Sequence, residues 1–343
     1  MTVLSCFQKD EQTWGVTLPQ IIMIEVPNVK EIATGQASGK IILMGEHAVV
    51  YGEPAIAMPF SATQVTAVIR RSQEDFLDSA YFTGPLTQVP QSLNNLKELI
   101  YMLRQDFAAP PLLCTITSTI PAERGMGSSA AVAVAVTRAF LAWQQVEETP
   151  AGLLHYVNQS EKIAHGNPSG IDAAATSGTE PILFERDKPF HAFPLKLNGC
   201  LIVADTGVKG KTRDTVRDVA SLMTTNPQQA QRAIQQLGDL TRQAKEAISA
   251  NQARYLGLLM NEAHTLLQSL SVSDPTLDQL VQVARRNNAL GAKLTGGGRG
   301  GCMIALATDA HNAAIIANQL ENAGAAATWI QRLGYTPAVP VSL

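Results

Sequence analysis

The spacing of apolar positions changes several times along the chain and predicts alternating strands and helices. Ile41 to Met44 form an unbroken apolar run that reads as a buried strand, and Val65, Ala67 and Ile69 share one face of a half-buried one. Leu93, Leu96, Leu99, Ile100 and Leu103 recur at helical spacing within 88–106, and Cys114 to Thr119 is β-branched and strand-like. The alanine-rich stretch from Ser128 to about Trp143 predicts a helix. A second helix starts cleanly at Thr149-Pro150, with threonine as N-cap and proline at the first helical position, and stops at Gly166. Asn167-Pro168-Ser169-Gly170 is turn chemistry.

Residues 181–206 are strand-rich, with Leu201 to Ala204 running into a loop at 205–211. From 212 to 270 the pattern is mostly helical. There Ala230, Ala233, Ile234, Leu237, Leu240, Ala244 and Ile248 fall on one face and the glutamines on the other. A helix at 275–288, a glycine loop, a strand at Met303–Ala307, a helix at 309–322 and a strand at 327–332 complete the pattern. Residues 1–33 hold no convincing element, although Ile21 to Ile24 form a short apolar run.

This mixture predicts an α+β protein. With 343 residues and about 150 per domain, two domains are expected. The divisions are read as an N-terminal extension at 1–35, a first domain at 36–190 and a second at 191–343. A composition of 45% hydrophobic and 16% charged residues excludes wholesale disorder. The formal charge, 26 − 29 = −3, lacks the broad basic footprint of a nucleic-acid binder. Cys6, Cys114, Cys200 and Cys302 are widely separated, which argues against a zinc site and suits reduced thiols. No apolar run reaches the roughly 20 residues of a membrane span, and Lys9, Asp10 and Glu11 interrupt the place of a signal-peptide core. A cytoplasmic protein without membrane contact is expected.

Three glycine segments are candidates for phosphate binding. Gly35 to Lys40 lacks the spacing of a P-loop and is followed by isoleucine where Ser or Thr must meet magnesium. Gly296, Gly298 and Gly301 match G-x-G-x-x-G formally, but a strand follows where the dinucleotide motif opens a helix. The third, PAERGMGSSAA at 121–131, leads from a strand into the alanine-rich helix, whose free N–H groups and positive dipole end attract anions. Taken alone, it is more readily a tight turn with a capping serine than a phosphate site.

The segment resembles the phosphate loop of the GHMP kinases. Three further segments carry the resemblance in family order: GKIILMGEHAVVYG at 39–52, EKIAHGNPSGID at 161–172 and KLTGGGRGGC at 293–302. Galactose-phosphorylating members typically place Thr-Asp after Gly-Glu-His. This chain has Ala48-Val49 there, and resembles the mevalonate-phosphorylating branch.

The resemblance implies a two-domain GHMP kinase fold, with an S5-like N-terminal domain and a ferredoxin-like C-terminal domain. It implies ATP-dependent phosphorylation of (R)-mevalonate to (R)-5-phosphomevalonate, a step of isoprenoid synthesis. By the same resemblance Asp172 is the catalytic base and Lys40 the cation beside the reacting oxygen. Glu123, Arg124, Gly125, Met126, Gly127, Ser128 and Ser129 form the ATP loop. Ser129 and Glu161 hold Mg²⁺, while Glu46, His47 and Thr212 meet the substrate. Gly296, Gly297 and Gly298 supply a supporting glycine loop. His165 is expected to brace its loop.

Glu123 and Arg124 depart from the small residues usual in the phosphate loop, and Arg299 interrupts the last glycine run. Neither arginine is given a role of its own. A phosphomevalonate kinase would need more cations around its acceptor, where Ala48, Val49 and Tyr51 offer none. A ligand sensor on this scaffold would tend to lose the base or a metal ligand, and none is lost. A homodimer is left open.

Overall fold

The computed structural model describes residues 29–166, 168–186 and 188–334. The chain enters a long hairpin of β1 (Ile32–Met44) and β2 (Ala55–Arg71), paired antiparallel along nearly their whole length. A short hairpin, β3 (Phe76–Ser79) and β4 (Phe82–Pro85), follows, then α1 (Asn94–Asp106) and β5 (Leu112–Ser118). Next come α2 (Ser128–Trp143), α3 (Pro150–His165), α4 (Ile171–Ser177), β6 (Ile182–Phe184) and β7 (His191–Ala192). Among the described residues these strands make a seven-stranded sheet in the order β4-β3-β5-β2-β6-β7, with β1 on the other edge of β2. Only β3 and β5 run parallel.

β1 begins at Ile32, inside the segment read from sequence as an extension. The cause is α2, which lies directly on it. A Cβ on Gly35 would stand 2.2 Å from the Ala135 carbonyl oxygen and 2.3 Å from the Ala139 nitrogen. Only small residues fit that face, so Ala33, Gly35 and Ala37 point inward while Ile32 is exposed. Gly35 to Lys40 is thus mid-strand, and its glycine serves helix–strand packing.

The second sheet is four-stranded and antiparallel. It is built from β8 (Gly199–Asp205), β9 (Gly291–Thr295), β10 (Cys302–Ala307) and β11 (Ala327–Leu333), in the order β11-β8-β10-β9. Between β8 and β9 run α5 (Thr212–Thr225), α6 (Pro227–Ser249), α7 (Ala253–Ser269) and α8 (Pro275–Arg286), and α9 (Ala310–Asn322) joins β10 to β11. Strands β8, β9 and β10 are buried almost throughout. The apolar face of α6 is buried as its spacing predicts, with Gln235, Gln236 and Gln243 outside. No described helix is long and apolar enough to cross a membrane.

β7 still pairs with β6, so the division expected between residues 190 and 191 runs between two strands of the first sheet. A two-residue strand carries too little pattern to be seen. β9 was read as part of a glycine loop, and the β3–β4 hairpin was not anticipated.

Candidate active site

Lys40 lies on β1 just beyond an irregularity in its pairing with β2, between Ser38 and Gly39. Such a bulge re-aims the side chains that follow it. The Lys40 N–H donates to the Met126 carbonyl at 3.0 Å, which ties the strand to the turn before α2. That turn closes on Gly127, the N-cap of α2, in the left-handed region at φ 72°. A Cβ on Gly127 would lie 2.8 Å from Lys40 Cγ and 3.1 Å from Thr176 Cγ2. Glycine there meets both demands at once, the backbone angle and the close approach.

Lys40 Nζ reaches Asp172 Oδ1 at 2.9 Å, with side-chain exposures of 6% and 44%. Asp172 sits in the first turn of α4, behind the left-handed Gly170. One residue into α2, Ser129 Oγ donates to Glu161 Oε1 at 2.6 Å. Glu161 is buried near the end of α3, and His165 Nε2 lies 3.7 Å from its other oxygen. Burial pushes the Glu161 carboxyl above its usual range; the Ser129 hydroxyl and His165 oppose this, and the nearby Asp172 adds to it. The turn and these four side chains thus converge at the N-terminus of α2. Three chain segments expected to act together do meet.

The second sheet closes the site. Thr295 Oγ1 donates to the Ile42 carbonyl at 2.7 Å, binding β9 to β1. His47 Nε2 donates to the Gly297 carbonyl at 3.1 Å, and Thr215 Oγ1 donates to the same oxygen at 2.8 Å. Burial holds His47 at about 4, so the ring is neutral at pH 7. Glu46 is buried and paired with Lys293 of β9. Thr212 opens α5 against Gly297, where a Cβ would fall 2.0 Å from its hydroxyl. Gly296 and Gly298 are left-handed, at φ 78° and 75°.

Arg124 reaches across to β8 of the second sheet, and Glu123 to the loop that follows it. Arg124 Nε donates to Asp205 Oδ1 and Oδ2 at 2.9 and 3.0 Å, and its Nη2 to the Gly207 carbonyl at 3.1 Å. Lys209 pairs with Glu123, a non-glycine residue at φ 57°. Arg299 pairs with Asp218 and donates to the Ser271 carbonyl. His165, expected to brace its loop, faces Glu161.

Sequence reasoning missed Lys293, Thr295 and Asp205. The usable signal for Lys293 was a lysine between Ala292 and Leu294 ahead of a glycine run, which reads as a strand with one charge inside.

Two family models match the chain in order: GHMP kinases N terminal domain over residues 94–179, and GHMP kinases C terminal over 244–326. The chain is 33% identical over 321 residues to the mevalonate kinase of Thermococcus sibiricus, covering 87% of this chain and 96% of the relative. It is 34% identical to that of Aeropyrum pernix, over 81% of this chain and 89% of the relative. Mevalonate kinase from methicillin-resistant Staphylococcus aureus superposes with a TM-score of 0.72 at 34% identity, covering 89% of this chain and 100% of the other. The L. major mevalonate kinase, solved in complex with R-mevalonate, gives 0.78 at 27% identity over 90% and 99%. The two-sheet fold is that of a class of small-molecule phosphotransferases. The chain belongs to the GHMP kinases, and within them to the mevalonate kinase family.

Proposed function

We propose that the protein transfers the γ-phosphoryl group of ATP to the primary hydroxyl of (R)-mevalonate, giving ADP and (R)-5-phosphomevalonate. The observation that carries the mechanism is the Lys40–Asp172 pair, set beside the glycine turn at the start of α2. Free N–H groups and the helix dipole there suit the phosphates of ATP. Asp172 accepts the proton of the substrate hydroxyl as that oxygen attacks phosphorus in line with the departing ADP. Lys40 holds the aspartate in place and offsets the charge gathering on the transferred group. Little covalent work falls to the protein; positioning and charge do most of it.

Ser129 and Glu161 suit Mg²⁺. Their oxygens are hard donors 2.6 Å apart, one of them an anion that burial leaves under-compensated. Magnesium takes few protein ligands and keeps several waters, so two side chains suffice. When bound, the ion draws charge from the phosphate oxygens during transfer. Glu46, His47 and Thr212 form the acceptor side, where a neutral imidazole and a hydroxyl suit a polyhydroxylated acid. Residues up to the end of β7 act as the nucleotide half, and those from β8 onward as the closing half.

The test is a coupled ADP-release assay with Mg·ATP on the wild type and on Asp172→Asn. Mevalonate, phosphomevalonate, galactose and homoserine are offered side by side. Turnover is expected with mevalonate and should fall by about 10³-fold or more in the variant. Turnover confined to another alcohol overturns the substrate, and an active variant overturns the base.

A further inference from the structure

Lys293 lies at the centre of β9, opposite Ile304 of β10, and none of its side chain reaches solvent. A lysine is rarely buried to that degree without a partner. Its Nζ contacts Glu46 Oε1 and donates to the Leu294 carbonyl at 2.7 Å. Glu46 is 1% exposed at its side chain, and its second oxygen, Oε2, is buried and meets no donor in hydrogen-bonding geometry. Burial pushes the Glu46 carboxyl up, opposed by Lys293 and by the backbone N–H groups of Glu46 and Gly296, and pushes the Lys293 ammonium down, opposed by Glu46. A buried acceptor with no well-aligned donor is costly and calls for an explanation.

The adjacent residues narrow the explanation. Next to Glu46, His47 is anchored by Gly297, four residues beyond Lys293 in the glycine loop that follows β9. Thr295 anchors the strand between them to Ile42 of β1. The pair therefore sits in the seam that closes the acceptor side.

We propose that Lys293 is a positioning and specificity-determining residue for the acceptor. It clamps one oxygen of Glu46 and cancels its charge, leaving the second oxygen aimed to accept a substrate hydroxyl. This rests on the acceptor assignment given above for Glu46. A bare carboxylate in this seam repels an anionic acceptor across a medium that screens poorly. A carboxylate paired with an internal cation does not, yet it still accepts a hydrogen bond. The pair thereby turns an acidic side chain into a hydroxyl reader for a hydroxy acid.

The test is steady-state kinetics on the wild type, Lys293→Met, Lys293→Arg, Glu46→Gln and the double variant Glu46→Gln/Lys293→Met. Unfolding in urea is followed on each, because a lone buried charge destabilises the fold. Lys293→Met should raise the KM for mevalonate about tenfold or more and leave the KM for ATP within about twofold. The double variant is neutral and keeps an amide oxygen as acceptor, so it should recover most of the loss. Lys293→Arg should lie between the wild type and Lys293→Met. If Lys293→Met does not fold, the arginine and double variants decide. Equal rises in both KM values, an unchanged KM for mevalonate in folded protein, or a double variant no better than Lys293→Met overturns the proposal. A wild type without mevalonate turnover defeats the acceptor assignment instead, so the two failures are distinguishable.

Discussion

His264 on α7 is 2% exposed, and its ring accepts the Leu294 N–H at Nδ1 while Nε2 lies 3.2 Å from Asp278 Oδ1. Burial pushes it down to about 4; Arg285 adds to that, and Asp278 opposes it. The folded protein therefore keeps this histidine neutral in a range where the unfolded chain, near 6.5, takes a proton. Stability is present above 6.5 and is lost as pH falls from there to about 4, on the order of 3 kcal/mol from this ring alone. His264→Gln should remove that share. Urea unfolding at pH 7 and pH 5 should show a shallower fall with acid in the variant, by close to one proton. Parallel slopes in the two proteins would refute the assignment. His264 and Lys293 illustrate what was hidden at this scale. Each is a polar residue whose burial depends on strands far away in sequence. Lys40, Asp172, Ser129 and Glu161 could be singled out because each sits in a segment with family spacing, although their mutual contacts could not be read.

Elements with local causes were read well. Thr149 caps α3 by accepting the Gly152 N–H at 3.1 Å, with Pro150 next, and the helix ends at His165 before a left-handed Gly166. The span of α2 follows from its alanines and the glycine turn before it. The unread elements owe their form to partners. The first half of β1 shows its pattern in small residues, because α2 lies too close for large ones. β7 and the β3–β4 hairpin are short and peripheral. Gly35→Ala tests the β1 explanation: the added methyl meets the backbone of α2, so helix and strand must part. Overpacking of this kind costs about 1–3 kcal/mol, and more where backbone is struck. Thermal unfolding should drop accordingly, whereas an unchanged midpoint would show that α2 shifts freely.

At the scale of the whole molecule, two sheets share one site, and a few contacts hold them in register. Arg124 ties the turn before α2 to Asp205 and Gly207, Gln331 bonds to Ser61 and Pro59, and Arg242 meets Glu53. The Arg124 Nε–H is shared between both Asp205 oxygens while Nη2 holds Gly207, and the pair is largely buried, so it fixes geometry better than an exposed pair would. Arg124→Gln should loosen the phosphate loop and raise the KM for ATP about tenfold, equivalent to about 1.4 kcal/mol, with the KM for mevalonate little changed. An unaltered KM for ATP would mean that Met126 and Lys40 alone hold the loop. That two domains exist was legible from length and from the mixture of periods. That an arginine unusual for its loop serves the opposite sheet was not, because nothing local marks a contact 81 residues away.

Glu46 and Lys293 are 247 positions apart, which bears on how the protein is made. Chains emerge from the ribosome N-terminus first, and early regions begin to fold before later ones exist. The first sheet can assemble around β1 and β2 while β9 is still unsynthesised, but its glutamate then faces water or a proton instead of an ammonium. The seam between β1 and β9 stays open until residue 293 has appeared and β9 has docked. The pairing of Glu46 thus awaits the synthesis of β9, however early the first sheet forms.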